Sequence, residues 1–204
     1  MAKTWTTAAT ARTAFADMVE ALDDAQLDAP TLCGHWTPRL ITAHLVSFVD
    51  VPLPKFLANI ARRRFDYGAA ADSMARTLAE RPFAELVGTL RAKAARSSGL
   101  PIFPESMTIA DTLIHTQDVR RPLGLRGDPD PALVRTVLEF LASHRQAGQI
   151  TDPRKVAAVS LHATDLDWWH GSGPLVEGTG EAIVMALAGR PVVAELHGEG
   201  VAHL

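Results

Sequence analysis

Apolar residues recur at helical spacing over the first three quarters of the chain. In residues 6–25, Ala9, Phe15, Val19 and Leu22 line one face with polar residues between them, which predicts an amphipathic helix. A break at Asp28-Ala29-Pro30 runs on through Cys33-Gly34-His35-Trp36. Thr37-Pro38 then predicts a helix start: threonine caps, and proline suits the first helical position because its missing N–H needs no partner there. Leu40, Ile41, His44, Leu45 and Phe48 follow on adjacent turns. Pro52 and Pro54 interrupt that helix, and 55–65 resumes it. Residues 69–80 and 83–97 predict a third helix broken near Pro82. Beyond a loop ending at Pro104, Ile109, Leu113 and Ile114 mark a short helix over 107–119. It is stopped by Arg120-Arg121-Pro122-Leu123-Gly124. A turn at Gly127–Pro131 precedes a helix over 132–146.

The texture changes after Gly148. Lys155–Leu161 is valine-rich and predicts a strand, as does Pro191–Leu196, with a helix over 179–188 between them that stops at Gly189. Trp168 and Trp169, set among turn-formers, read as a packing anchor. A boundary near 147–154 gives two expected parts, 1–148 and 149–204. The second, about 50 residues, holds little core by itself. The fold class expected is mainly α: a helical bundle followed by a small α+β C-terminal segment.

Composition narrows the function. Lysine plus arginine is 20 and aspartate plus glutamate 23, a formal charge of −3, which lacks the basic excess of a nucleic-acid binder. No run reaches the roughly 18 apolar residues of a membrane span, and no basic segment followed by an apolar stretch marks a signal peptide. The single cysteine, Cys33, leaves no intrachain disulfide and no Cys-rich zinc site, so a reducing cytoplasm is the expected home. Eight histidines remain to be explained.

Asp111 and His115 stand four apart on the expected 107–119 helix, so both project from one face. A carboxylate and an imidazole so placed chelate one divalent ion if a third ligand comes from another helix, and His44 is the natural candidate. Two histidines and a carboxylate leave coordination positions open for water or substrate. Structural readings stand beside this one. Thr108 and Asp111 have capping-box spacing, and His44 and His115 suit hydrogen-bonded core positions. Asp118, three residues beyond His115, either orients a ligand or is a helix-end acid paired with Arg120 or Arg121. His35 reads as surface or packing, His144 as a cation near a helix end, and Arg62-Arg63-Arg64 as a solvated basic run. Cys33 has no flanking motif of a nucleophile.

Three stretches together resemble the mycothiol-dependent maleylpyruvate isomerase family of the DinB-like superfamily. The first is Pro30-Thr31, Cys33, Trp36 and His44-Leu45. The second is Asp111, His115 and Asp118 with Arg120-Arg121-Pro122-Leu123-Gly124. The third is the tail with Gly171-Ser172-Gly173-Pro174, Leu187-Ala188-Gly189-Arg190 and Leu196-His197-Gly198-Glu199-Gly200. The resemblance implies a DinB-like four-helix bundle with a divalent metal on His44, Asp111 and His115, and a small α+β domain behind it. Zinc comes first, with nickel, iron or manganese also suited. The family often places glutamate where this chain has Asp111, one methylene shorter.

The resemblance also implies mycothiol as cofactor, a metal-activated thiolate attacking a small electrophilic substrate, and hence a transferase or cis–trans isomerase. Arg120, Arg121 or Arg62 would hold a carboxylate of substrate or cofactor, and Asp118 is the candidate catalytic acid–base group. The partners expected are a small-molecule thiol and the electrophile, with no nucleic acid and no membrane, in a monomer or homodimer. The alternatives are a non-catalytic metal or small-molecule binding protein of the same fold, and a partner-binding helical domain.

Overall fold

The computed structural model describes residues 5–97 and 103–204. The chain forms two compact units. Among the described residues, one comprises those up to 108 together with 115–125; the other comprises 109–114 and 126–204.

The first unit is helical. It contains α1 (Thr6–Glu20), α2 (Asp24–Leu27), α3 (Pro38–Asp50), α4 (Leu53–Arg62), α5 (Tyr67–Ala79), α6 (Phe83–Ala92) and both ends of α7 (Glu105–Arg120). Thr37 caps α3 by accepting from the Leu40 N–H, and Pro38 opens it, as the Thr-Pro pair requires. The expected third helix is two helices, α5 and α6, parted before Phe83 by Pro82. α3 packs against α5 and α6, and α1 against α6. Phe15, Val19, Ile41, Leu45, Val46, Leu86, Leu90 and Val119 fill the core between them. A second cluster of Phe56, Ile60, Ala70 and Met74, with Phe48 beside it, joins α4 to α5 and α3. Arg12 is a buried cation satisfied by main-chain oxygens. Its Nη1 donates to Ala94 O at 2.8 Å and Arg96 O at 2.7 Å.

The second unit adds α8 (Pro131–Ser143), α9 (Pro153–Ala157) and α10 (Gly180–Leu187) to a small sheet of β1 (Ser160–Ala163), β2 (Trp168–Gly171) and β3 (Leu175–Gly178). The strand order is β2-β1-β3, with β1–β2 antiparallel and β1–β3 parallel. α10 packs on α8 and β1. Two expectations need correction. Residues 155–161 are not one strand: Asp152 caps α9 through the Arg154 N–H, Pro153 starts it, and the strand begins only at Ser160. Residues 191–196 hold a 3₁₀ turn at Val193–Glu195, and the bridge to Glu177 is made by the next residue, His197.

Reaching β3 from β2 means crossing the start of β1, and glycine makes that crossing possible. Gly171 has φ +80°, and a Cβ there would lie 2.3 Å from Val159 O. A Cβ on Gly173 would lie 2.3 Å from Ala158 O. The chain is thus mainly α, with its small α+β part at the C-terminal end.

Candidate metal centre

Helix α7 begins at Glu105, whose carboxylate accepts from the Ala8 N–H at 3.0 Å. Thr108 therefore lies inside the helix, and the capping-box reading of Thr108 and Asp111 does not hold. Asp111, His115 and Asp118 follow at four- and three-residue intervals, which sets them on one face. His44 lies two turns into α3 and is buried, as is His115. One ligand atom from each of His44, Asp111 and His115 lies within 4.8 Å of the others. Two neutral imidazoles and a carboxylate are a donor set for a divalent ion of the zinc-to-manganese range.

Aromatic rings build the walls. The His44 and His115 rings meet edge to face at 5.0 Å, and Phe48 stands edge-on to His44 at 4.9 Å. Trp36 lies 4.8 Å from His44 and is stacked on His115 at 5.7 Å. Its indole N–H donates to Asp72 at 2.9 Å. The Arg76 guanidinium, and after it this indole, hold the Asp72 carboxyl below its ordinary range against the opposing effect of burial.

Asp118 is fully buried, and its carboxylate meets His115 Nδ1 at 2.9 Å. An ionised carboxylate only accepts, so this contact favours the tautomer with the hydrogen on Nδ1, in which Nε2 is the ring's ligand atom.

The loop before α3 completes the surroundings. The Leu32 N–H donates to Asp118 O at 3.1 Å. Thr31 Oγ1 donates to Trp36 O at 2.6 Å and accepts from the Cys33 N–H at 3.1 Å. Gly34, at φ +59°, supplies the left-handed turn. This folding brings half-buried Cys33 to the cluster: its sulfur and one ligand atom each of His115 and Asp118 lie within 4.8 Å of one another. The sequence reading missed Cys33 and Trp36 as neighbours of the histidines. Their adjacency in Cys33-Gly34-His35-Trp36, just ahead of the His44 helix, was the available signal.

The other residues singled out lie elsewhere. Arg120 closes α7 and Arg121 caps it, both half-buried; Arg62 ends α4 and is exposed. His144 caps α8, and its Nδ1 accepts from the Gln146 N–H at 3.1 Å, so it serves the following 3₁₀ turn as an acceptor instead of α8 as a cation. The tryptophan pair splits across the sheet. Trp168 is buried, whereas Trp169 is 58% exposed and stacks on His162 at 3.7 Å, so only Trp168 fits a packing anchor.

Residues 8–100 match the family model described as the mycothiol maleylpyruvate isomerase N-terminal domain. That segment is similar to this domain family over just under half of the chain. Over a longer span, the fold resembles the crystal structure of a histidine-to-alanine mutant of the mycothiol-dependent maleylpyruvate isomerase, at 14% identity and a TM-score of 0.64, covering 96% of this chain and 91% of that one. A second crystal structure of that isomerase matches at 16% identity and a TM-score of 0.54, with the same coverage. At such identities the likeness establishes the fold. No curated protein sequence matches the chain. No helix among the described residues is long and apolar enough to cross a membrane.

Proposed function

We propose that the chain is a metal-dependent enzyme that uses a low-molecular-weight thiol of the mycothiol type to act on a small electrophilic substrate, as an isomerase or S-transferase. The observation carrying this reading is the convergence of His44, Asp111 and His115. These three residues would hold the divalent ion, and the donors fit: both imidazoles are buried, and His115 has its Nδ1 committed to Asp118. When bound, the ion would favour the thiolate form of the cofactor, the form that attacks carbon. Asp118 fixes the His115 ring and its tautomer. Trp36 and Phe48 keep the histidines in apolar surroundings and limit water. Arg120 and Arg121 are proposed to clamp a carboxylate of cofactor or substrate, because guanidinium groups pair bidentately with carboxylates. Asp111 would supply the carboxylate donor, on a side chain one methylene shorter than glutamate.

The deciding experiment is elemental analysis of the purified protein, followed by thiol-dependent turnover of maleylpyruvate and simple electrophiles. Wild type is expected to carry about one divalent ion per chain, and His44→Ala and His115→Ala to lose both ion and turnover. Undiminished metal in those variants overturns the reading. Metal without turnover points to a binding protein.

A further inference from the structure

We propose that Cys33, His115 and Asp118 form a binding set for a thiophilic metal ion, overlapping the His44–Asp111–His115 set only through His115. Sulfur, imidazole nitrogen and carboxylate oxygen already stand within 4.8 Å of one another. Cys33 is held in place on both sides: its N–H donates to Thr31 Oγ1 at 3.1 Å, and its carbonyl accepts from the Trp36 N–H at 3.1 Å. The next residue back, Leu32, is tied to the Asp118 carbonyl. The loop that carries the sulfur is therefore fastened to the helix that carries the other two donors. To face one ion, His115 and Asp118 exchange their mutual 2.9 Å hydrogen bond for bonds to it, the ring hydrogen moving from Nδ1 to Nε2. Half-buried Cys33 leaves one corner of the set open to solvent, while Asp118 is fully enclosed.

Charge distinguishes the two sets. As the sulfur–metal bond forms, the thiol proton leaves to solvent, so thiolate and carboxylate together neutralise a divalent ion. The His44 set brings one carboxylate and no sulfur. Soft ions such as cadmium and mercury prefer thiolate donors, whereas harder divalent ions favour nitrogen and oxygen. With His115 common to both, a soft ion on Cys33 disturbs whatever the other set holds. The centre is thereby sensitive to thiophilic metals.

Cadmium titration of the metal-free protein tests this. Cys33 is the only thiol, so the ultraviolet thiolate-to-cadmium charge-transfer band reports its sulfur alone. One cadmium per chain is expected to saturate the band. Asp118→Asn, and independently His115→Gln, should weaken binding by about tenfold or more, and His44→Ala should leave it within about twofold. Circular dichroism confirms that each variant is folded. A band that persists in both Asp118→Asn and His115→Gln, or one that vanishes in His44→Ala, overturns the assignment; so does the absence of a band at stoichiometric cadmium. His44→Ala separates this set from the proposed enzyme centre, because it removes a donor from that centre alone.

Discussion

Asp118 is enclosed by protein, and its carboxylate meets the Nδ1 of His115. A carboxylate in that position sets the angle of the ring and decides which nitrogen has a lone pair to give. Asp118→Asn keeps the size and loses the charge, and its amide can present either a donor or an acceptor to Nδ1. Divalent metal affinity is expected to fall about 10- to 100-fold, read by competition with a chelator, while the circular dichroism spectrum is retained. The spacing of Asp111, His115 and Asp118 is legible in sequence because it depends only on the local period of one helix. His44 is legible because its helix is announced by Thr37-Pro38. Cys33 and Trp36 were not legible as neighbours of the histidines. Their positions depend on a loop bonded to Asp118 and on an indole bonded to Asp72 from α5, and no local pattern encodes either bond.

Among the elements, the helices of the first unit follow their apolar periodicity closely, since amphipathic faces and proline breaks are strong local signals. The sheet does not. Its strands are four residues each, too short for alternation to register, and two of them begin or end in glycine-rich turns. The valine-rich segment 155–161 misleads because Asp152-Pro153 starts a helix ahead of it. The crossing from β2 to β3 carries the sharpest constraint. With Ala158 O at 2.3 Å from a Cβ on Gly173, and backbone instead of a flexible side chain in the way, Gly173→Ala must push the β2–β3 turn away from the segment between α9 and β1. A loss of about 2 kcal/mol or more in chemical denaturation is expected, within the range for overpacking a close contact. Gly34→Ala meets no atom within 4 Å and costs only its left-handed backbone conformation, so it should be the milder change.

At the scale of the whole molecule, Asp50, the last residue of α3, is one of the carboxylates that tie stability to pH. It pairs with Lys93 at the end of α6 and with Arg81, whose Nη1 lies 2.8 Å away. The Lys93 hydrogen bond first, and Arg81 after it, hold the Asp50 carboxyl below its ordinary 3.8 despite burial. A depressed carboxyl stabilises the fold above its unfolded value, and that contribution is lost as pH falls through the folded value. Asp50→Asn should therefore cost about 1 kcal/mol at neutral pH, and the gap to wild type should begin to narrow as pH falls to about 4 and close only once pH is below the depressed folded value. Equilibrium urea unfolding at several pH values measures both; a gap that stays constant into acid would show that the pair contributes through packing alone.

The buried guanidinium of Arg12 bears on how the chain is made. Its two carbonyl partners lie 82 and 84 residues further on, and the Ala8 N–H waits for Glu105, 97 residues on. At typical rates of translation, roughly 5–20 residues per second, the first helix leaves the ribosome several seconds before those partners exist. Throughout that interval Phe15 and Val19 have no α6 to cover them, and a cation destined for the interior is still in water. Helix α1 is thus made well before the segments that secure it, so nascent chains of this protein should engage a holding chaperone until α6 and the start of α7 have emerged.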